Sequence, residues 1–127
     1  MFLDYSRRVA GALRDETGEK DPLLAEGGIH ADLASTIAFS LAKKERRSPA
    51  AIAADLAKRL SARPDLAGIR IEGKGPYLNF IFGEEYLRDS VREALSPGYG
   101  TLPAREGKVV IEHTSANPNG PLHVGHI

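Results

Sequence analysis

The chain has 127 residues, of which 42% are hydrophobic, enough to build the core of one compact domain. Its 17 basic and 17 acidic residues cancel, so no long-range field draws the molecule toward nucleic acid or membrane, and any such contact must come from local patches. The absence of cysteine excludes disulfides, thiolate zinc sites and cysteine nucleophiles, and fits a reducing compartment such as the cytoplasm.

The N-terminus, Met1-Phe2-Leu3-Asp4-Tyr5-Ser6-Arg7-Arg8, breaks its apolar residues with charge almost at once, and no run approaches the roughly 18 apolar residues of a membrane span. Phe2, Val9 and Leu13, with Tyr5 nearby, recur at helical spacing ahead of Gly18, predicting an amphipathic helix over residues 2–16. A turn-prone stretch follows, through Asp21-Pro22 and Gly27-Gly28. Leu33, Ile37 and Leu41 then fall four apart with Asp32 available as an N-cap, which predicts a second helix beginning at that aspartate. Ser48-Pro49 supplies an N-cap and a first-turn proline for a third helix, whose stripe is Ile52, Leu56 and Leu60 and whose end precedes Pro64.

The period then changes from helical to alternating. Ile69 and Ile71 alternate with Arg70 and Glu72, and Leu78, Phe80 and Phe82 alternate with Tyr77, Asn79 and Ile81, so two strands are predicted around a Gly73-Lys74-Gly75-Pro76 turn. Alternation puts Leu78, Phe80 and Phe82 on a core face and Tyr77 beside Asn79 on the other. Leu87, Val91 and Leu95 mark a fourth helix closed by Ser96-Pro97-Gly98, and residues 100–107 read as a linker. Val109-Val110-Ile111 is a continuous apolar run suited to a strand buried on both faces of a parallel sheet. Such a strand needs a crossover and a partner, so a longer protein is expected, of which residues 107–127 are the incomplete beginning of a second domain.

The last residues carry the chemistry. A strand leading through a Gly/Pro-rich turn into a helix presents backbone N–H groups to phosphate. Here the turn delivers His123 and His126, three apart with Gly125 between them, so a helix starting near Leu122 would place both imidazoles on one face near its positive end. Donors there stabilise a triphosphate whose charge grows during attack at the α-phosphorus. The plainer reading makes them surface histidines, with Asn117 and Asn119 as turn formers and Glu112 at a strand end. A zinc site from His113, His123 and His126 is a further alternative, although the spacing straddles a proline-rich turn.

The run Ser115-Ala116-Asn117-Pro118-Asn119-Gly120-Pro121-Leu122-His123-Val124-Gly125-His126 resembles the signature of class I aminoacyl-tRNA synthetases, and with Glu112-His113-Thr114 ahead of it resembles the arginyl-tRNA synthetase family. The resemblance implies an arginine–tRNA ligase that activates L-arginine with ATP and Mg²⁺ and transfers it to tRNA-Arg. It implies ATP contacts from Pro121, His123, Gly125 and His126, with His123 and His126 catalytic, and arginine contacts from Glu112, Ser115 and Asn117. A carboxylate such as Glu112 suits a guanidinium, which it holds by charge-assisted, often bidentate hydrogen bonds.

Residues 32–43 and the strand Gly75-Pro76-Tyr77-Leu78-Asn79-Phe80 also resemble this family, whose N-terminal appended domain packs helices on a small antiparallel sheet and contacts the tRNA elbow. The expected architecture is therefore α+β over residues 1–106, joined to the first strand and loop of a Rossmann-type catalytic domain at 107–127. By resemblance, Tyr77, Asn79 and the residue at position 74 contact a D-loop nucleotide. Lys74 stands where the family has a base-reading Asn, which leaves base and phosphate contacts both open. An adjacent aromatic and amide are also what unstacked RNA bases require. Lys43, Lys44, Arg46 and Arg47 form a cationic helix end with three open readings: a cap of the helix dipole, a solvated face, or a phosphate clamp. A stand-alone RNA-binding module and a small nucleotidylyltransferase sharing the His-x-Gly-His element are the rival functions, and the chain by itself is expected to be inactive as a ligase.

Overall fold

A computed structural model describes residues 1–104, 106–108 and 110. Four helices and one antiparallel sheet organise them: α1 (Phe2–Thr17), β1 (Leu24–Glu26), β2 (Leu33–Ser35), α2 (Ile37–Glu45), α3 (Pro49–Ser61), a 3-10 turn (Pro64–Leu66), β3 (Ile69–Lys74), β4 (Tyr77–Phe82) and α4 (Glu84–Ala94). This is the expected α+β arrangement of helices on a small sheet.

The four strands lie in the order β1-β2-β4-β3, every neighbouring pair antiparallel. Register carries the alternation across the sheet. Leu33, Phe80 and Ile71 form one inward row, while Ala34, Asn79 and Glu72 form the adjacent outward row. Phe80 and Leu78 are fully buried against Val9, Leu13, Ile37, Leu56 and Leu60 from the helices. Burying a side chain of this size contributes about 1.5–3 kcal/mol each. Helix α3 comes closest to the sheet at Gly73, where an added Cβ would stand 3.0 Å from the Ala53 and Ala54 backbone. The β3–β4 connection is Gly75-Pro76, with Gly75 at φ +59°. A positive φ followed by proline fits a type II′ hairpin, whose twist matches the strands it joins.

Helix α1 ends as predicted, with Gly18 left-handed and its N–H donating to the Arg14 carbonyl. Helix α3 starts at Ser48-Pro49 and buries the expected Ile52, Leu56 and Leu60. The second helix differs from its prediction. It begins at Ile37 rather than at Asp32, and Leu33 belongs to β2. Asp32 instead ties the sheet: its carboxylate Oδ2 accepts the Phe82 N–H at 2.7 Å and its own N–H donates to the Phe80 carbonyl. Helical spacing of Leu33 with Ile37 and Leu41 was coincidental, because long-range pairing with β4 outweighs local periodicity.

The fourth helix occupies its predicted place, but its stripe does not enter the core. Leu87 and Val91 are largely exposed, and α4 turns its polar side to α1, where Tyr5 Oη donates to Asp89 Oδ2 and the Met1 ammonium pairs with Glu93. Tyr5, Phe82 and Tyr86 cluster beneath this contact with ring centroids 4.9–5.1 Å apart. Burial, followed by the Asp89 charge, pushes the Tyr5 phenol above its ordinary pKa. Arg63 joins α1 to the 3-10 turn through Asp15, Glu16 and Asp65, and its hydrogen bond holds the Asp65 carboxyl below the usual carboxylate range.

Ser35 is a fully buried polar residue of β2: its hydroxyl donates to the Pro22 carbonyl at 2.6 Å and accepts the Ile37 N–H at 3.2 Å, supplying the N-terminal bond that Thr36 does not give α2. Ser35→Ala strands both backbone groups, and urea unfolding should show a loss of about 1–3 kcal/mol. A change within about 0.5 kcal/mol, the size of an ordinary surface substitution, would show that water replaces the hydroxyl.

Candidate functional site

The outward row of the sheet shapes a cleft. Strand β4 projects Tyr77 and Asn79 side by side, β3 adds Lys74 directly opposite Tyr77, and β2 contributes Ala34 opposite Asn79. The small side chain of Ala34, with Ala25 beside it on β1, leaves the sheet surface low at this point. Glu26, Gly27 and His30 close the far side, giving an open cleft of about 420 Å³ lined by these residues with Lys74, Tyr77 and Asn79. Three predicted residues thus line one concavity.

Their environments differ in a useful way. Asn79 is only 9% exposed, yet among the described residues its amide has no side-chain hydrogen bond, and its polar end opens on the cleft. Tyr77 is 46% exposed, with one edge against Phe39 of α2 in a T-shaped contact at 5.8 Å. An aromatic plane, an amide with unused donors and acceptor, and a lysine make up the surface offered to a ligand. Glu26 adds one acceptor and His30 a ring that can give or take a hydrogen bond.

Sequence reasoning missed Phe39, Ala34, Glu26, Gly27 and His30. For Phe39 a signal existed: it lies off the Ile37–Leu41 apolar stripe, so a helix could not bury it with them. For the others, the three-residue strands β1 and β2 left too short a pattern to place them.

The cationic run at the end of α2 is only partly free. Lys44 pairs with Glu19, and Arg47 approaches Glu45 and Asp55. Lys43 and Arg46 have no ion pair among the described residues. Arg46 also closes α2 with a left-handed backbone at φ +53°. The run begins four residues beyond Phe39, about 6 Å along the helix axis from the cleft's aromatic edge. Glu112, Ser115, Asn117, Pro121, His123, Gly125 and His126 all lie outside the described residues, as does His113.

Residues 5–82, which hold the whole sheet and the cleft, match the model of the arginyl tRNA synthetase N terminal domain. The chain belongs to this family. It is 57% identical over its full length to the arginine–tRNA ligase of Methanocorpusculum labreanum and 45% identical over its full length to that of Archaeoglobus fulgidus, covering 23% of each. The solved arginyl-tRNA synthetase of Thermus thermophilus superposes with a TM-score of 0.54 at 36% identity, over 99% of this chain and 21% of that one. The chain therefore spans just under a quarter of the length of these relatives. Among the described residues no helix is long and apolar enough to cross a membrane.

The Phe39–Tyr77 contact is what orients the aromatic wall. A double-mutant cycle with Phe39→Ala and Tyr77→Ala should give a coupling of about 0.5–1.5 kcal/mol in urea unfolding. Additive losses would mean that the rings do not hold each other.

Proposed function

We propose that the cleft grips an unstacked nucleotide of tRNA-Arg, and that the chain is the elbow-binding N-terminal part of an arginine–tRNA ligase. The observation that carries this reading is the cleft itself, where Tyr77 and Asn79 stand together and Lys74 flanks them. Single-stranded RNA is read by packing a splayed base on an aromatic ring and hydrogen-bonding its edge, and these groups supply both. Lys74 places an ammonium beside the ring, where it serves a phosphate or a base acceptor. An apolar small-molecule pocket is a poorer match, since the cleft is open and carries Lys74, Tyr77 and Asn79 from two neighbouring strands.

On this reading residues 1–106 form the RNA-binding domain and residues 107–127 begin the catalytic domain. Family membership supports the ligase assignment over a stand-alone RNA module or a small nucleotidylyltransferase. The intact cytoplasmic enzyme would condense L-arginine with ATP, brought in with Mg²⁺, and pass arginine to the tRNA. Glu112 would pair with the substrate guanidinium, with Ser115 and Asn117 beside it. His123 and His126, with Pro121 and Gly125, would hold the triphosphate and offset its transition-state charge. These residues act by positioning and electrostatics.

Tyr77→Ala and Asn79→Ala should each weaken tRNA-Arg binding by about 5- to 150-fold, the range expected for a lost base contact of roughly 1–3 kcal/mol. Tyr77 is exposed and Asn79 faces the cleft rather than the helices, so circular dichroism should stay native while filter-binding titrations shift. Unchanged affinity in both variants would rule out the cleft as the base site.

The α2 cations divide into a free pair and a neutralised pair, which makes a graded test. Lys43→Gln with Arg46→Gln should flatten the plot of log affinity against log salt by about 0.7 per lost phosphate contact. Lys44→Gln with Arg47→Gln should flatten it less, because acids already neutralise those charges. An unaltered slope for the first pair would assign the run to solvent.

A further inference from the structure

We infer that the apolar stripe of α4 is an intramolecular docking surface, covered by the part of the full-length polypeptide that follows residue 127. This inference rests on the family assignment, through the length of the relatives, and is independent of the cleft. Leu87 and Val91 on α4 and Leu95 at its C-cap fall four apart, and they are 62%, 58% and 80% exposed. Leu87 and Val91 line an open groove of about 480 Å³ rimmed by Glu84, Arg88 and Arg92. Helix α4 buries none of its residues fully, so the face that sequence patterning assigns to a core has no core beneath it among the described residues.

Three observations favour the following domain as the occupant. The stripe lies beyond residue 82, where the match to the N-terminal domain ends, at the junction with the remainder. The uncovered apolar character continues along the exit path at Tyr99 and Leu102, both mainly exposed. The chain accounts for 23% of its relatives' length, so on the family assignment a large body belongs to the same polypeptide.

Affinity separates this occupant from a second copy. Three partly exposed aliphatic side chains support a dissociation constant of only about millimolar order. A tethered domain meets the stripe at an effective concentration also of about millimolar order, so weak contact suffices. Two separate copies at micromolar concentration would stay apart. The rim of Glu84, Arg88 and Arg92 gives the partner surface mixed charge to match.

The test uses the absence of cysteine from this chain. Val91→Cys and, as a control on the exposed face of α3, Lys58→Cys are reacted with a maleimide. The reaction is run in the 127-residue chain and in the polypeptide extended to its relatives' length, and followed by peptide mass spectrometry. In the extended polypeptide V91C should react about twofold more slowly than K58C at every protein concentration, the slowing of a stripe covered half the time, whereas in the 127-residue chain the two should react alike. Equal rates in both polypeptides overturn the proposal. Slowing in the 127-residue chain also overturns it: slowing that grows with concentration points to a second copy, and concentration-independent slowing to cover from within. As a second readout, Leu87→Ser with Val91→Ser should leave melting of the 127-residue chain unchanged and lower that of the extended polypeptide. No change in either is a negative result for docking. Thiol rates do not report RNA binding, so failure here leaves the cleft reading standing, and the Tyr77 and Asn79 titrations leave this one standing.

Discussion

Strand β4 is hydrogen-bonded on both sides, to β2 and to β3, and both faces of the sheet depend on that pairing. It fixes Leu78 and Phe80 toward the helices and, by the same pleat, Tyr77 and Asn79 toward the cleft. A slip of one residue would exchange the two sets, exposing Phe80 and burying an unpaired amide and a phenol. Burial of Phe80 and Leu78 therefore stabilises the cleft as much as the core. Asp32 reinforces the register by accepting from Phe82 while its own N–H reaches Phe80, so a surface carboxylate holds the end of β4 in place.

This division explains what could be read from sequence. The alternation from Ile69 to Phe82 is long enough to show its period, so the hairpin, its Gly-Pro turn and the neighbouring Tyr77 and Asn79 were all predictable. Strands β1 and β2, at three residues each, are too short to have a period of their own. Strand β2 exists because β4 offers a partner some 45 residues away in sequence, β1 then pairs with β2, and local patterning contains nothing about the distant partner. The same gap concealed Ala34, Glu26 and His30, whose place in the cleft follows from strand order alone. At α4 the period predicted the helix, but a stripe at spacing four shows that a face is apolar without saying what covers it.

The balanced charge is spent locally. Arg63, Arg59 and Arg8 link α1 to α3 and to the 3-10 turn through Glu16, Asp15, Asp65 and the Asp65 carbonyl. Most of these groups are at least partly exposed, and surface pairs of this kind contribute roughly 0–1 kcal/mol each, so they align the helices more than they stabilise them. Pairing also removes basic residues from any RNA-facing role. Lys20, Lys43, Arg46, Lys58, Lys74 and Lys108 have no ion pair among the described residues, and of these Lys74 lies at the cleft and Lys43 with Arg46 near the end of α2. On the proposed reading a neutral protein relies on where its free cations are placed, and helix α2 and strand β3 set that placement.

The same requirement accounts for Asn79. Strands disfavour asparagine, and a residue of the central strand with its side chain nine-tenths buried would ordinarily be apolar. Ala34 and Glu72 flank it in the register while its amide ends at the cleft, and among the described residues only Ser6 Oγ is a fully enclosed side-chain polar atom lacking a partner. The amide thus opens on the cleft at its tip and is enclosed along its length. Folding has already removed the rotamer freedom that binding would otherwise have to remove, about 0.5–1.5 kcal/mol for a side chain of this kind. Tyr77 is held in the same manner by the Phe39 edge. The sheet gives up some β-propensity at its centre, and on the proposed reading it presents in return two groups that need no reordering to meet a base.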